Sequence, residues 1–235
     1  MTTRKQWICT AIDSPDGQRV EASPTMVVPM GMAARKKIWP KGTTLKLRFM
    51  QGTLALHSRV LATARSWLVG GVKLDMVLAQ PGEAAQLRIA FDGKDGSWSY
   101  IGLDNLGILP SHPTMNLGWA ALDTPEDDFS SVVIHEFGHA LGLLHEHNHP
   151  KALIDWNRPA VVTDLAGDPN YWDTATIEAN VFAKFHASTV ITTDFDKASV
   201  MIYTVPSHWT TDERSFMPSP KLSEGDVATI RKLYA

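Results

Sequence analysis

Cysteine is almost missing from this chain: one residue, Cys9, among 235. A lone thiol forms no intramolecular disulfide and cannot build the multi-thiolate site of a zinc ribbon or finger. Any metal site must therefore be made of histidines and carboxylates. An excess of positive charge is missing too. The 22 Lys and Arg against 25 Asp and Glu leave a net charge of −3, which argues against a nucleic-acid partner. No apolar run approaches the ~20 residues that span a bilayer. The start, from Met1 to Thr10, carries charges but lacks the apolar stretch of a secretory leader. The expectation is a soluble protein that keeps Met1, makes no membrane contact, and is either cytoplasmic or exported by a leaderless route. Repeats and low-complexity tracts are absent as well. What is present is ordinary globular composition, 44% apolar and 20% charged, in a chain long enough for a real core. A monomer is expected.

The first 35 or so residues are punctuated by turn signals at Ser14-Pro15-Asp16-Gly17 and Ser23-Pro24 and read as an extended arm. Leu45, Leu47 and Phe49 alternate with Lys46 and Arg48, the pattern of a half-buried strand. Thr53 can cap a helix whose inner face is Leu56, Val60, Ala64, Trp67 and Leu68, ending at Gly70-Gly71. Further strands are expected at 72–78, 87–91, 96–102 and 114–119, giving a mixed sheet. Thr124-Pro125-Glu126-Asp127 announces the next helix with a capping box, Thr124 at the cap and Pro125 in the first turn. Its apolar residues cover most of its girth, so it is expected to be buried. After Pro150 one helix is expected, capped by Thr174 with Ile177, Val181 and Phe185 in register. A second capping box, Ser223 to Asp226, opens the terminal helix.

The histidines gather on that buried helix. His135 and His139 are four apart, so their rings project from one face at chelating distance. Glu136 sits beside them, placed to reach a water on a metal rather than the metal itself. Gly142 lets the chain turn sharply, which returns His145 towards the same ion. Three neutral imidazoles with one open position describe a catalytic zinc site, whereas structural sites are closed by a fourth ligand.

The full run, His135-Glu136-Phe137-Gly138-His139-Ala140-Leu141-Gly142-Leu143-Leu144-His145, followed by Ser199-Val200-Met201-Ile202-Tyr203, resembles the metzincin signature with its Met-turn. Tyr203 and the His145-Glu146-His147 run make the chain most similar to the astacin family of zinc metallopeptidases. Likeness extends to Trp39-Pro40-Lys41-Gly42, the 96–102 segment and the terminal helix, so it covers roughly residues 36–235. The resemblance implies an α+β zincin fold. A twisted mixed sheet with backing and active-site helices would form an upper lobe (about 36–142). An irregular lower lobe with the C-terminal helix would follow (about 143–235), the arm at 1–35 lying outside this single catalytic domain.

It also implies roles. His135, His139 and His145 would bind Zn2+, Glu136 would be general base and proton shuttle, and Met201 would floor the site. Tyr203 would be a mobile ligand or would stabilise the oxyanion. The substrate would be a protein or peptide, hydrolysed by a metal-activated water. It would add to the 114–119 segment as an edge strand, with Met115, Asn116 and Leu117 in the cleft, and Pro206 and His208 would wall the pocket beyond the cut. The different-class alternative is a catalytically weak, zinc-bearing peptide-binding or effector protein that uses the same cleft.

Departures are visible too. The disulfides usual in astacins are impossible here, Leu143 replaces a Phe, and Asn148-His149-Pro150-Lys151 replaces an Arg- and Asp-rich run. Glu146 stands where the family's Glu meets a newly cleaved N-terminus. Cys9 has two readings, a small buried apolar group or a thiolate that caps the metal, and the first is the common use of a lone cysteine. Asp13 and Asp16 are lesser capping candidates. His147 and His149 read as loop or packing residues rather than ligands, Arg214 as a solvated charge, and the Asp92 to Gly96 segment as a turn rather than a calcium loop.

Overall fold

The structure, a computed structural model, describes residues 9–12, 33–168, 170–191 and 194–235. The turn signals at 14–17 and 23–24, with Asp13 and Asp16, lie outside the described residues. Six strands form one sheet: β1 (Thr10–Ile12), β2 (Thr43–Phe49), β3 (Leu74–Leu78), β4 (Leu87–Ala90), β5 (Ser97–Tyr100) and β6 (Met115–Leu117). Their order is β1-β5-β6-β4-β2-β3. β6, β4, β2 and β3 are mutually parallel, while β5 pairs antiparallel with β6 and carries β1 parallel on its far side.

That order corrects one expectation. The strand at Met115–Leu117 is not an edge, because both its sides are paired, with β4 and with β5. Met115 and Leu117 are core residues with no exposure. Asn116 spends its side chain on the loop that joins β4 to β5. Its Oδ1 accepts from the Asp92 N–H at 2.8 Å, and its Nδ2 donates to the Asp92 and Gly96 carbonyls. None of the three faces a cleft. Apart from the arm the edges of the sheet are β3 and β5, and residues 10–12 of the arm cover β5.

Helix α1 (Leu54–Ala64) is capped by Thr53, whose hydroxyl accepts from the Leu56 N–H, and it passes into a 3-10 turn at Arg65–Trp67. Leu56, Val60, Ala64 and Trp67 are its buried face. The central helix α2 (Glu126–Ala140) starts one residue later than the sequence suggests. Pro125 occupies the cap position, and the Thr124 hydroxyl turns away to donate to the Trp119 carbonyl. Glu126, Asp127 and Asp128 fill the first turn, where the helix dipole favours negative charge.

Lower in the molecule, α3 (Arg158–Ala166) was not expected from sequence. The cap of α4 (Thr174–Ile177) is Asp173 rather than Thr174, its carboxylate accepting from the Thr176 N–H. The chain then widens into a π turn at Glu178–Phe182. The terminal helix α5 (Glu224–Tyr234) carries the expected box, Ser223 and Asp226 each bonding the other's backbone N–H. One apolar cluster fills the space between the sheet, α1, α2 and α5. A second gathers around Val161, Ile177, Val181, Ile202 and Trp209. Among the described residues, no helix is long and apolar enough to cross a membrane.

Candidate metal centre

A buried helix needs partners for the carbonyls at its end, and α2 draws two of these, with a third bond to a carbonyl of its middle, from distant elements. The Trp67 indole donates to the Ile134 carbonyl at 2.9 Å, the Trp39 indole to Ala140 at 2.8 Å, and the Tyr234 hydroxyl to Leu141 at 2.6 Å. The helix stops as glycine at 142 allows. Gly142 sits at φ +92, its N–H bonding the His139 carbonyl while Leu143 N–H bonds Gly138, a Schellman turn. The turn also fixes a ligand, because the Leu143 carbonyl accepts from His139 Nδ1 at 3.0 Å. His135 Nδ1 donates likewise to the Val200 carbonyl of the Met-turn at 2.7 Å.

Both bonds place the ring proton on Nδ1 and leave Nε2 as a lone pair. These lone pairs converge. His139 Nε2 and His145 Nε2 are 3.0 Å apart, close to the ~3.3 Å edge that two Zn–N bonds of ~2.0 Å span at a tetrahedral angle. His135 Nε2 is buried with no hydrogen-bond partner among the described residues. Burial holds His135 down at about 4 and holds His139 and His145 well below the usual imidazole range, so all three are neutral at pH 7, as ligation requires. The donor set fits a zinc ion.

Cys9 is buried, as the commoner of its two sequence readings has it, and its surroundings fit the other reading as well. Its thiol lies with the three imidazoles, all four ligand atoms falling within 4.8 Å of one another. Its side chain also bonds Glu136, and its backbone carbonyl accepts from the Tyr203 hydroxyl at 2.6 Å. No signal near Cys9 in the chain marks this. The pairing of β1 with β5 brings it in. Burial pushes the Cys9 thiol well up and Glu136 up to about 8.

The Met-turn passes below. Met201 is fully buried, and its sulfur packs where Gly138 lacks a side chain: a Cβ there would meet Sδ at 2.3 Å. Tyr203 lies ring to ring with His145 at 4.2 Å. His147 and His149 are not ligands. His147 Nε2 is bonded to the Asn180 carbonyl, and His149 Nδ1 accepts from the Lys151 N–H. Glu146 is not one of the ligand cluster and lies with Asp196 and Asp226 instead. Burial pushes it up to about 8, against the Asp196 N–H that favours its charge. His208 is exposed and pairs with Asp164 at 2.6 Å beside Trp209, and Arg214 pairs with Asp212.

No protein-family profile matches the chain, and no curated protein does. Solved structures do. A structure of myroilysin superposes with a TM-score of 0.82 at 34% identity, covering 86% of this chain and 97% of that one. A second myroilysin crystal structure gives 0.66 at 31%, covering 91% and 96%. High choriolytic enzyme 1, a hatching enzyme zinc-protease from the medaka fish Oryzias latipes, gives 0.57 at 16%, covering 88% and 98%, a likeness of fold alone. Trihistidine geometry, Met-turn and a relative at this identity across most of both chains agree: the chain belongs to the astacin family of metzincin zinc metalloendopeptidases.

Proposed function

We propose that the full chain is a latent zinc endopeptidase, held inactive by its own arm. The observation that carries this reading is the placement of the Cys9 thiol among His135, His139 and His145. Three imidazoles leave one position open for catalysis, and in this arrangement a fourth protein atom stands there. Burial and Glu136 keep Cys9 a thiol while no ion is bound, whereas a dication deprotonates a coordinating thiol outright. The arm engages the rest of the machinery as well, since Glu136 bonds the thiol and Tyr203 bonds the adjacent carbonyl.

With the arm gone, each group is released to its task. Zinc, when bound, lowers the pKa of water toward ~7 and polarises the substrate carbonyl. Glu136 takes the proton from the attacking water and passes it to the leaving amine as the C–N bond breaks. Tyr203 donates to the oxygen on which negative charge develops. The substrate, an extended peptide, pairs with the uncovered β5 edge antiparallel, opposite in direction to β1. Pro206 and His208 sit on the segment after the Met-turn that borders the far end of this path. The working unit is a monomer.

The test compares peptide cleavage by four zinc-matched proteins: the full chain, its Cys9→Ala variant, the chain freed of its arm by limited proteolysis, and that form carrying Glu136→Ala. Latency requires the full chain to be the slowest of the first three. General-base catalysis requires Glu136→Ala to lose about 10²- to 10⁴-fold against the freed chain. Equal activity of the full chain and Cys9→Ala would sink latency. A freed chain no faster than Glu136→Ala, both binding peptide, would establish the binding-protein alternative.

A further inference from the structure

His147 is buried, follows a ligand by two residues, and ligates nothing. Its ring lies 4.1 Å from that of Tyr203, tilted by 32°, and 5.3 Å from that of His145, so the phenol packs against both imidazoles in a three-ring cluster. The imidazole is itself anchored. Nε2 is 2.9 Å from the Asn180 carbonyl, so Nε2 carries the proton and donates it. Asn180 belongs to the π turn at Glu178–Phe182, and single π turns recur at functional sites. The neighbouring Asn148 secures the same turn by donating to the Ala183 carbonyl at 2.7 Å.

The other ring nitrogen is unused. His147 Nδ1 is buried with no partner among the described residues, and so is the indole nitrogen of Trp156, whose ring meets His147 edge-on at 6.2 Å. A buried polar atom left unpaired costs stability. A residue selected only to fill this space would be apolar. The imidazole combines a flat face for the phenol with an N–H that locks the angle of that face, and neither Phe nor Leu supplies both.

We propose that His147 is a positioning residue for Tyr203, an anchored plate that sets where the phenol hydroxyl points in the latent and in the freed chain. The inference rests on the hydrolytic reading of the site, but one of its readouts does not. In the full chain the Tyr203 hydroxyl holds the Cys9 carbonyl at 2.6 Å, so a displaced phenol loosens the arm. In the freed chain a displaced phenol weakens stabilisation of the transition state and leaves substrate binding alone.

The experiment is a double-mutant cycle of His147→Leu and Tyr203→Phe, read two ways. In the metal-loaded full chain, the rate at which a disulfide thiol reagent modifies Cys9 should rise about fivefold in His147→Leu, the loss of one hydrogen bond of ~1 kcal/mol. It should rise no further when His147→Leu is added to Tyr203→Phe. In the freed chain, His147→Leu should lower kcat about tenfold with KM within about twofold, and should change kcat less than twofold in the Tyr203→Phe background. His147→Gln, which keeps an N–H donor but not the plate, should recover little of either. Equal effects of His147→Leu in the wild-type and Tyr203→Phe backgrounds overturn the proposal, since His147 would then act on the fold or the metal. No effect of His147→Leu on Cys9 overturns it also. If the freed wild type cleaves no peptide, the hydrolytic reading fails and the thiol cycle alone decides the role of His147.

Discussion

At the scale of single residues, the site is tuned by what is absent as much as by what ligates. Gly138 has no side chain because Met201 Sδ lies 2.3 Å from where a Cβ would sit. Gly138→Ala must therefore push the Met-turn or the helix aside, and overpacking of this kind costs about 1–3 kcal/mol in urea unfolding. Neither half of this pair is readable alone. The motif marks Gly138 only as a variable position, and its partner lies on another element. The cluster of His135, His139 and His145 beside Glu136 could be anticipated because helical spacing and one glycine turn bring these residues together locally. The place of Cys9 could not, because it is set by strand pairing across the whole sheet. A lone thiol with no motif looks the same whether it fills a core or faces a metal.

Among elements, α2 depends on groups remote in sequence. Tyr234→Phe removes one hydroxyl that serves both the Leu141 carbonyl and the Trp39 N–H. Leaving buried groups unpaired should cost about 1–3 kcal/mol, seen as a lower denaturation midpoint at unchanged m-value. Elements with local signatures were legible: the alternation in β2, the Thr53 cap, and the box at Ser223 and Asp226. α3 was not, since only Val161 and Leu165 among its residues are buried and two positions make no stripe. β6 was recognised as a strand and misplaced in the sheet. Its three residues are all buried, the mark of an inner strand, but a run of three is too short to tell an inner strand from an edge by pattern.

For the whole molecule, two measurements follow from burial and from the missing disulfides. Glu146 titrates at about 8 in the folded chain against an ordinary 4.5. Between those values the folded state keeps a proton the unfolded state has released, so stability falls as pH rises through the window. The buried histidines, held low, act in the opposite sense below about pH 6.5, so the Glu146 share is read as a difference: the melting temperature of Glu146→Gln should gain on that of the wild type as pH rises from about 5 to 8. Without disulfides, the bound metal is the strongest cross-link available between α2 and the lower segments. Chelation should lower the melting temperature, because a ligand held only by the native state contributes about 2.7 kcal/mol at a hundredfold excess over Kd. An unchanged melting temperature would contradict this. The short strand β1 has a further consequence, one of shelf life rather than turnover. It caps the adhesive end of the sheet. Stripped of it, β5 presents bare N–H and C=O groups from Ser97–Tyr100 to any extended chain, a second copy included. The event that opens the cleft thereby makes the protein sticky. In concentrated solution the freed form should scatter more light than the full chain, and an excess of a short, poorly cleaved peptide should return it to clarity.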